Sequence, residues 1–228
     1  MKDSEYQKLI YFVRHGETDE NTKHIYQHDH SILSDRGIRQ AEFVAQRFAR
    51  LSVDVILTSA LHRTRQTAEI INHVVQKPIE WTESLREIRR PKEVIGRAKD
   101  DPDAVRIMAL LHRHRREDWH YSTEENFFDR KRRVQKILDD LIVRKQQHLL
   151  VVTHNGVLKT VIAFMLFGAK MTFQEYEKFL AFTLVSNTGI TVCKLLPNHC
   201  WKLLHLNDLA HLEMSSKPEE LCDPSASS

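Results

Sequence analysis

Short apolar runs alternate along this chain with longer stretches whose apolar residues recur at helical spacing. That is the pattern of strands joined by crossover helices in a parallel sheet. Leu9 to Val13 is an unbroken apolar run and predicts a strand buried on both faces. A loop runs to about Leu33, and Ser34 then suits the N-cap of a helix with the stripe Ile38, Ala41, Ala45 and Phe48. Val53 to Thr58 predicts a second strand, and Leu61 to Val75 a helix packing through Ala68, Ile71, Val74 and Val75. Pro78 to Trp81 suits a short edge strand. Thr123 to Gln146 predicts a long helix with Phe127, Val134, Ile137, Leu138 and Leu141 facing inward. His148 to Thr153 follows as a buried strand and Val157 to Phe167 as a helix. Phe182 to Val185 and Ile190 to Leu195 flank the turn Ser186-Asn187-Thr188-Gly189 and are expected to form a hairpin.

The stretch from about 86 to 121 breaks this alternation. It is charged, carries Pro91 and Pro102, and is helical only in pieces, so it is expected to form a cap beside the sheet. From about Ser215 the prolines and serines predict a disordered tail. The expectation is one α/β domain over residues 1–213, with a tail over 214–228. Its architecture would be a three-layer αβα sandwich around a mostly parallel sheet, with a small helical cap insertion.

Composition narrows the class. At 228 residues, 41% hydrophobic and 29% charged, the chain suits a globular domain with one substantial core. Thirty-four basic against 31 acidic residues leave a net charge of +3, too little to indicate nucleic acid. The basic run His112-Arg113-His114-Arg115-Arg116 has no aromatic residues interleaved and reads as a solvated helix face. Val157 to Gly168 is too short to span a bilayer, and no charged-then-apolar leader precedes Leu9. Cys193, Cys200 and Cys222 lack metal-ligand spacing and suit reduced thiols. A cytoplasmic protein without membrane or nucleic-acid partners is expected, and a homo-oligomer is left open.

Ligands of open α/β sheets bind beyond the carboxyl ends of the strands. There the first strand runs into Arg14-His15-Gly16-Glu17-Thr18. The second runs into Thr58-Ser59 with Arg63 one turn into the next helix, and the later strand into Thr153-His154-Asn155-Gly156. Two histidines and two arginines from distant segments therefore meet at one rim. A neutral imidazole is a competent nucleophile at pH 7. Arginine forks grip phosphate oxygens, and a glycine at 16 lets backbone approach a ligand. Phosphoryl transfer needs these parts and an acid for the leaving oxygen.

Four motifs in order carry a family resemblance. They are Arg14 to Thr18 with Asn21; Leu33-Ser34 with Gly37, Gln40 and Ala41; Ser59 to Arg63 with Gln66-Thr67-Ala68; and Val152-Thr153-His154. Together they resemble the histidine phosphatase superfamily, with its phosphoglycerate mutase-like fold, over about Ile10 to His211. The resemblance implies that His15 is the phosphorylated nucleophile. Arg14, Arg63 and His154 would form the phosphate pocket, with Asn21 and Asn155 as further substrate ligands. It also implies a glutamate proton donor, best matched by Glu87 in Leu85-Arg86-Glu87-Ile88, with Glu83 as rival. Many relatives follow that glutamate with a glycine–aromatic–glycine patch; here the residues are Arg89-Arg90-Pro91 and only later Gly96. The implied reaction is hydrolysis of a small phosphorylated substrate, with neither metal nor other cofactor. The alternatives are a phosphoglycerate-type mutase and a non-catalytic phosphate binder. The loop Thr22 to Ile32 lacks the aromatic, glycine-rich pattern of the mutases, and intact Arg14, His15, Arg63 and His154 argue against a binder.

Other residues have plainer readings. Glu17 suits hydrogen bonds to its neighbours. His24, His28 and His30 sit in a polar loop with no strand or helix to fix them as zinc ligands. Glu124-Glu125-Asn126 suits a helix start, with Glu125 kept as a candidate substrate contact.

Overall fold

The computed structural model of the protein describes residues 8–213. Its strands are β1 (Lys8–Arg14), β2 (Val55–Thr58), β3 (Ile79–Trp81), β4 (His148–Thr153), β5 (Ile190–Leu195) and β6 (Trp201–Asp208). Its helices are α1 (Asp19–Thr22), α2 (Asp35–Phe48), α3 (His62–Val75), α4 (Pro102–Arg113), α5 (Phe127–Val143), α6 (Asn155–Phe167), α7 (Phe173–Phe182) and α8 (Ala210–Glu213). One six-stranded sheet runs in the order β3-β2-β4-β1-β5-β6. The first four of these are mutually parallel, while β5 runs antiparallel to β1 and β6 antiparallel to β5.

Alternation along β1 makes the layers. Ile10 and Phe12 join a core with residues of α5 and α6, whereas Tyr11 and Val13 join one with α2 and α3. Each large apolar side chain so buried stabilises the fold by roughly 1.5–3 kcal/mol. This is the expected αβα sandwich with a mostly parallel sheet. No helix among the described residues is long and apolar enough to cross a membrane.

Local signals set the boundaries. Ser34 caps α2, its Oγ accepting from Gly37 N at 3.1 Å. Within α2, Val44 is fully buried while Ile38 is only half-buried. The long helix begins at Phe127 rather than Thr123, because Asn126 and Asp129 form a capping box there. Its last turn closes at Val143. The next helix starts at Asn155 and so includes two residues ahead of Val157.

The expected hairpin is misplaced. Residues 182–185 pair with no strand, and β5 forms its hairpin with β6 instead. The turn itself exists, with Gly189 N donating to Ser186 O at 3.1 Å, but it leads from α7 into β5. The sequence reading overlooked α7, whose Thr172–Glu175 capping box follows directly on Met171. It also missed β6, an edge strand exposed along most of its length and therefore without inside–outside alternation.

Between β3 and α5 the chain forms a short 3₁₀ turn (Glu83–Leu85) and then α4, capped by Asp101 with Pro102 leading. Val94, Ala104 and Ile107, with Tyr26 against them, make a small core of their own. Burial pushes the Cys193 thiol up to about 12, which keeps it unreactive at neutral pH. The tail expected over 214–228 lies outside the described residues.

Candidate active site

Groups from three elements grip the backbone of the turn after β1. His15 N donates to Thr153 O at 3.0 Å, Gly16 N to Thr67 Oγ1 at 3.1 Å, and Glu17 N to Gln40 Oε1 at 2.9 Å. The turn and α2 touch at two glycines. A Cβ on Gly16 would stand 2.5 Å from Gly37 O, and one on Gly37 only 2.0 Å from Glu17 O. The Glu17 carboxylate accepts from Ser34 Oγ and from Arg36 at 2.9 Å, so it ties the turn to α2 as its plainer reading expected.

His15 is buried, with Nδ1 2.7 Å from Gly16 O. A carbonyl only accepts, so Nδ1 carries the proton and Nε2 keeps its lone pair. Burial, then Arg63 and Arg14, hold the ring well below the ordinary imidazole value, so it is neutral at pH 7. The His154 ring centroid lies 5.2 Å away, and burial with Arg63 lowers that ring in the same way. Its Nε2 sits 2.9 Å from Ser59 Oγ, which in turn lies 2.8 Å from Thr64 Oγ1. His154 Nδ1 is buried and has no partner among the described residues, so it is left for a ligand.

The cations come from different segments. Arg63 is buried on α3, with Nη1 donating to His28 O at 2.9 Å and Nε without a partner among the described residues. Burial pulls its guanidinium down to about 10, and Glu87 is the strongest opposing influence, so it stays cationic at neutral pH. Arg14 Nη1 donates to Val185 O at 2.8 Å. Asn21 caps back within α1: its Oδ1 accepts from Thr18 N at 3.1 Å and from Asn187 Nδ2 at 3.4 Å, leaving the amide NH₂ end for other use. Asn155 opens α6, and its Oδ1 is buried without a partner among the described residues. A half-turn of that amide presents a donor instead. The N-terminus of this 13-residue helix adds its own attraction for an anion.

Glu87 lies against that helix end. Its Oε2 accepts from Gly156 N at 3.3 Å and its Oε1 from Ile88 N at 2.8 Å. Glu83 is exposed and paired with Arg86 at 3.0 Å. Glu125, expected as a possible substrate contact, is buried and committed: its Oε2 accepts from Arg89 N at 3.0 Å and from Arg133 at 2.7 Å. Arg133 also donates to the carbonyls of Ser84 and Arg86, so this ion pair fastens the segment carrying Glu87. His28 and His30 stack, with centroids 4.8 Å apart. Among the described residues no three histidine, cysteine or carboxylate side chains converge as metal ligands.

Asn187 is the residue that sequence reasoning missed. Its Nδ2 donates to His15 O at 2.8 Å, which steadies the turn from above. The signal was present in the polar run Ser186 to Thr188. A strand antiparallel to β1 begins where β1 ends, so the residues before β5 fall on the rim.

The buried histidines make the fold acid-sensitive. His211, whose Nε2 lies 3.1 Å from Thr188 Oγ1, is lowered to about 4 by burial and Arg47. In the unfolded chain these rings titrate near pH ~6.5. Below that value the unfolded state binds more protons, so stability falls as pH drops and is unaffected above it. His211 alone accounts for roughly 3 kcal/mol at about pH 4. A melting temperature flat above about pH 7 and falling steadily below about pH 6 is expected. A flat profile down to about pH 4.5 would contradict the neutral buried rings.

A neutral nucleophile, two guanidiniums, a second imidazole, a helix end and a nearby carboxylate can together hold and transfer a phosphoryl group. Proteins similar to this chain carry phosphatase and mutase names. A "probable phosphatase" of Schizosaccharomyces pombe is 27% identical over 209 residues, 90% of this chain and 95% of that one. The solved phosphoserine phosphatase mutant of Entamoeba histolytica, in complex with phosphoserine, has a TM-score of 0.73 and 26% identity, covering 90% of this chain and 99% of that one. A "probable phosphoglycerate mutase" of Photorhabdus laumondii is 44% identical over only 80 residues, 35% of this chain and 37% of that one. A family model matches residues 10–209, and with it the chain belongs to the histidine phosphatase superfamily, branch 1.

Proposed function

We propose that this protein is a metal-independent phosphatase that hydrolyses small organic phosphate monoesters through a phosphohistidine on His15. The observation that carries the reading is the His15 ring, neutral, tautomerically fixed by Gly16 O, and flanked by the cations Arg14 and Arg63. In the first step the Nε2 lone pair attacks phosphorus and the ester P–O bond breaks. Glu87 gives its proton to the departing oxygen. In the second step water attacks phosphorus, its proton passes to Glu87, the P–N bond breaks, and orthophosphate leaves. Arg14, Arg63, the α6 N-terminus, His154 Nδ1 and the Asn21 amide carry the equatorial charge. The Gly16 carbonyl supports the positive ring formed on attack.

The phosphatase-named relative aligns along nearly the whole chain, the mutase-named one over 35% of it, and this favours hydrolysis over isomerisation. Rapid acid-free quenching with a radiolabelled monoester should trap an acid-labile, alkali-stable label on His15. Turnover without any such label on that residue would overturn the phosphohistidine. The arginines and helix end already supply the positive field, so excess chelator should leave the rate unchanged. Loss of activity restored by one particular divalent ion would overturn the metal-free reading.

A further inference from the structure

Two buried hydroxyls settle which nitrogen of His154 carries its proton. Ser59 follows β2, Thr64 lies in the first turn of α3, and both are buried together with the His154 ring. Thr64 Oγ1 lies 2.9 Å from Leu61 O and 3.2 Å from Ser59 O. It also lies 2.8 Å from Ser59 Oγ, which is 2.9 Å from His154 Nε2.

Each hydroxyl has one proton to give, and carbonyls only accept. The Thr64 proton therefore goes to the carbonyl side; turned the other way, Oγ1 would set its lone pairs against two carbonyl oxygens. Ser59 must then donate to Thr64 Oγ1, and its own oxygen faces Nε2 as an acceptor. The proton of the neutral imidazole sits on Nε2, and Nδ1 presents a lone pair. This is the opposite tautomer to His15, whose Nδ1 donates to Gly16 O. Nδ1 of His154 is buried without a partner among the described residues. The charged and titratable groups acting on the ring are Arg63 on α3, His15 on the turn after β1, Arg133 on α5 and Arg14 on β1. Glu87 meets the same helix end at Gly156 N. Burial, then Arg63, keep the empty ring neutral at pH 7.

A phosphate monoester is mostly a dianion above about pH 6. The arginines and the α6 N-terminus offer donors to its oxygens, but a bare oxygen set against the Nδ1 lone pair is repelled. One proton between the two turns this repulsion into a charge-assisted hydrogen bond.

We infer that Ser59 and Thr64 are positioning residues that hold His154 as the Nε2–H tautomer, so that the site takes up one proton with each phosphate dianion. The inference rests on the phosphatase reading, which seats a phosphate against His15 and His154. The test titrates the full chain with inorganic phosphate by calorimetry, in buffers of different ionisation heat, at about pH 8.5. The parent should take up one proton per phosphate, and its affinity should fall about tenfold between about pH 8 and about pH 9. Thr64→Val removes the acceptor of the Ser59 proton. Ser59 then donates to Nε2, the ring carries its proton on Nδ1, and the dianion meets a donor. Proton uptake should drop to near zero and the pH dependence of affinity should flatten, although no group touching phosphate has changed. Ser59→Ala, which frees Nε2, should do the same. Thr64→Ser, which keeps the hydroxyl, should retain the parent values.

No uptake by the parent, or undiminished uptake by Thr64→Val, would overturn the inference. Uptake that survives Thr64→Val and vanishes in Glu87→Gln would place the proton on Glu87 instead. Hydrolysis of no phosphate ester would refute the phosphatase reading and leave the proton count to decide this one. Absence of phosphate binding would end both.

Discussion

His15→Ala is expected to lower kcat by at least four orders of magnitude while the protein stays folded. The alanine variant has no group that can take the phosphoryl, and water must then attack directly without the covalent step. Among the described residues the His15 side chain has one hydrogen bond, to the adjacent Gly16 carbonyl, while the backbone ties to Thr153 and Asn187 do not involve the ring. The melting temperature should therefore move by a few degrees at most. Arg14 and Arg63 remain, so the variant should still bind inorganic phosphate or vanadate. A variant retaining a tenth of the parent rate would remove His15 from the nucleophile's role.

Glu87→Gln should produce a loss that depends on the leaving group. An alkyl phosphate departs as a strongly basic alkoxide, and without its proton the first step slows by about 10²–10⁴-fold. A nitrophenyl phosphate departs as a stable anion and should lose far less in that step. The second step then lacks its base, so phosphohistidine accumulates and a burst of nitrophenol appears. Glu83→Gln should do neither, since Glu83 is exposed and paired with Arg86, whereas Glu87 meets the α6 N-terminus at Gly156 N. Equal losses on both ester types would mean that Glu87 is not the acid. An exchange of behaviour between the two variants would hand the role to Glu83.

What could be read from the chain alone follows from how each residue acts. β1 was legible because burial on both faces demands an unbroken apolar run, and α2 because Ser34 declares its start. The rim was legible because Arg14 ends a strand, His15 and His154 each follow one, and Arg63 lies in the first turn of the helix after another. Tertiary contacts hid the rest. Glu125 sits ahead of a helix, as a residue with dipole preference would, and only the fold brings Arg133 to it. Asn187 looked like turn chemistry because the antiparallel entry of β5 beside β1 has no local signature. β6, exposed at the sheet edge, needs no pattern at all.

The place of β1 within the sheet also dictates when activity can arise during synthesis. Arg14 is held beside Thr153 and Val13 beside Ile190, so β1 pairs on both sides with strands made long after it. Closing such long loops is slow and comes late in folding. During synthesis His15 therefore reaches its place only after the segment through Ile190 has been made. A chain cut off before Asn187 would leave one edge of β1 open and take away the side chain that holds the His15 carbonyl.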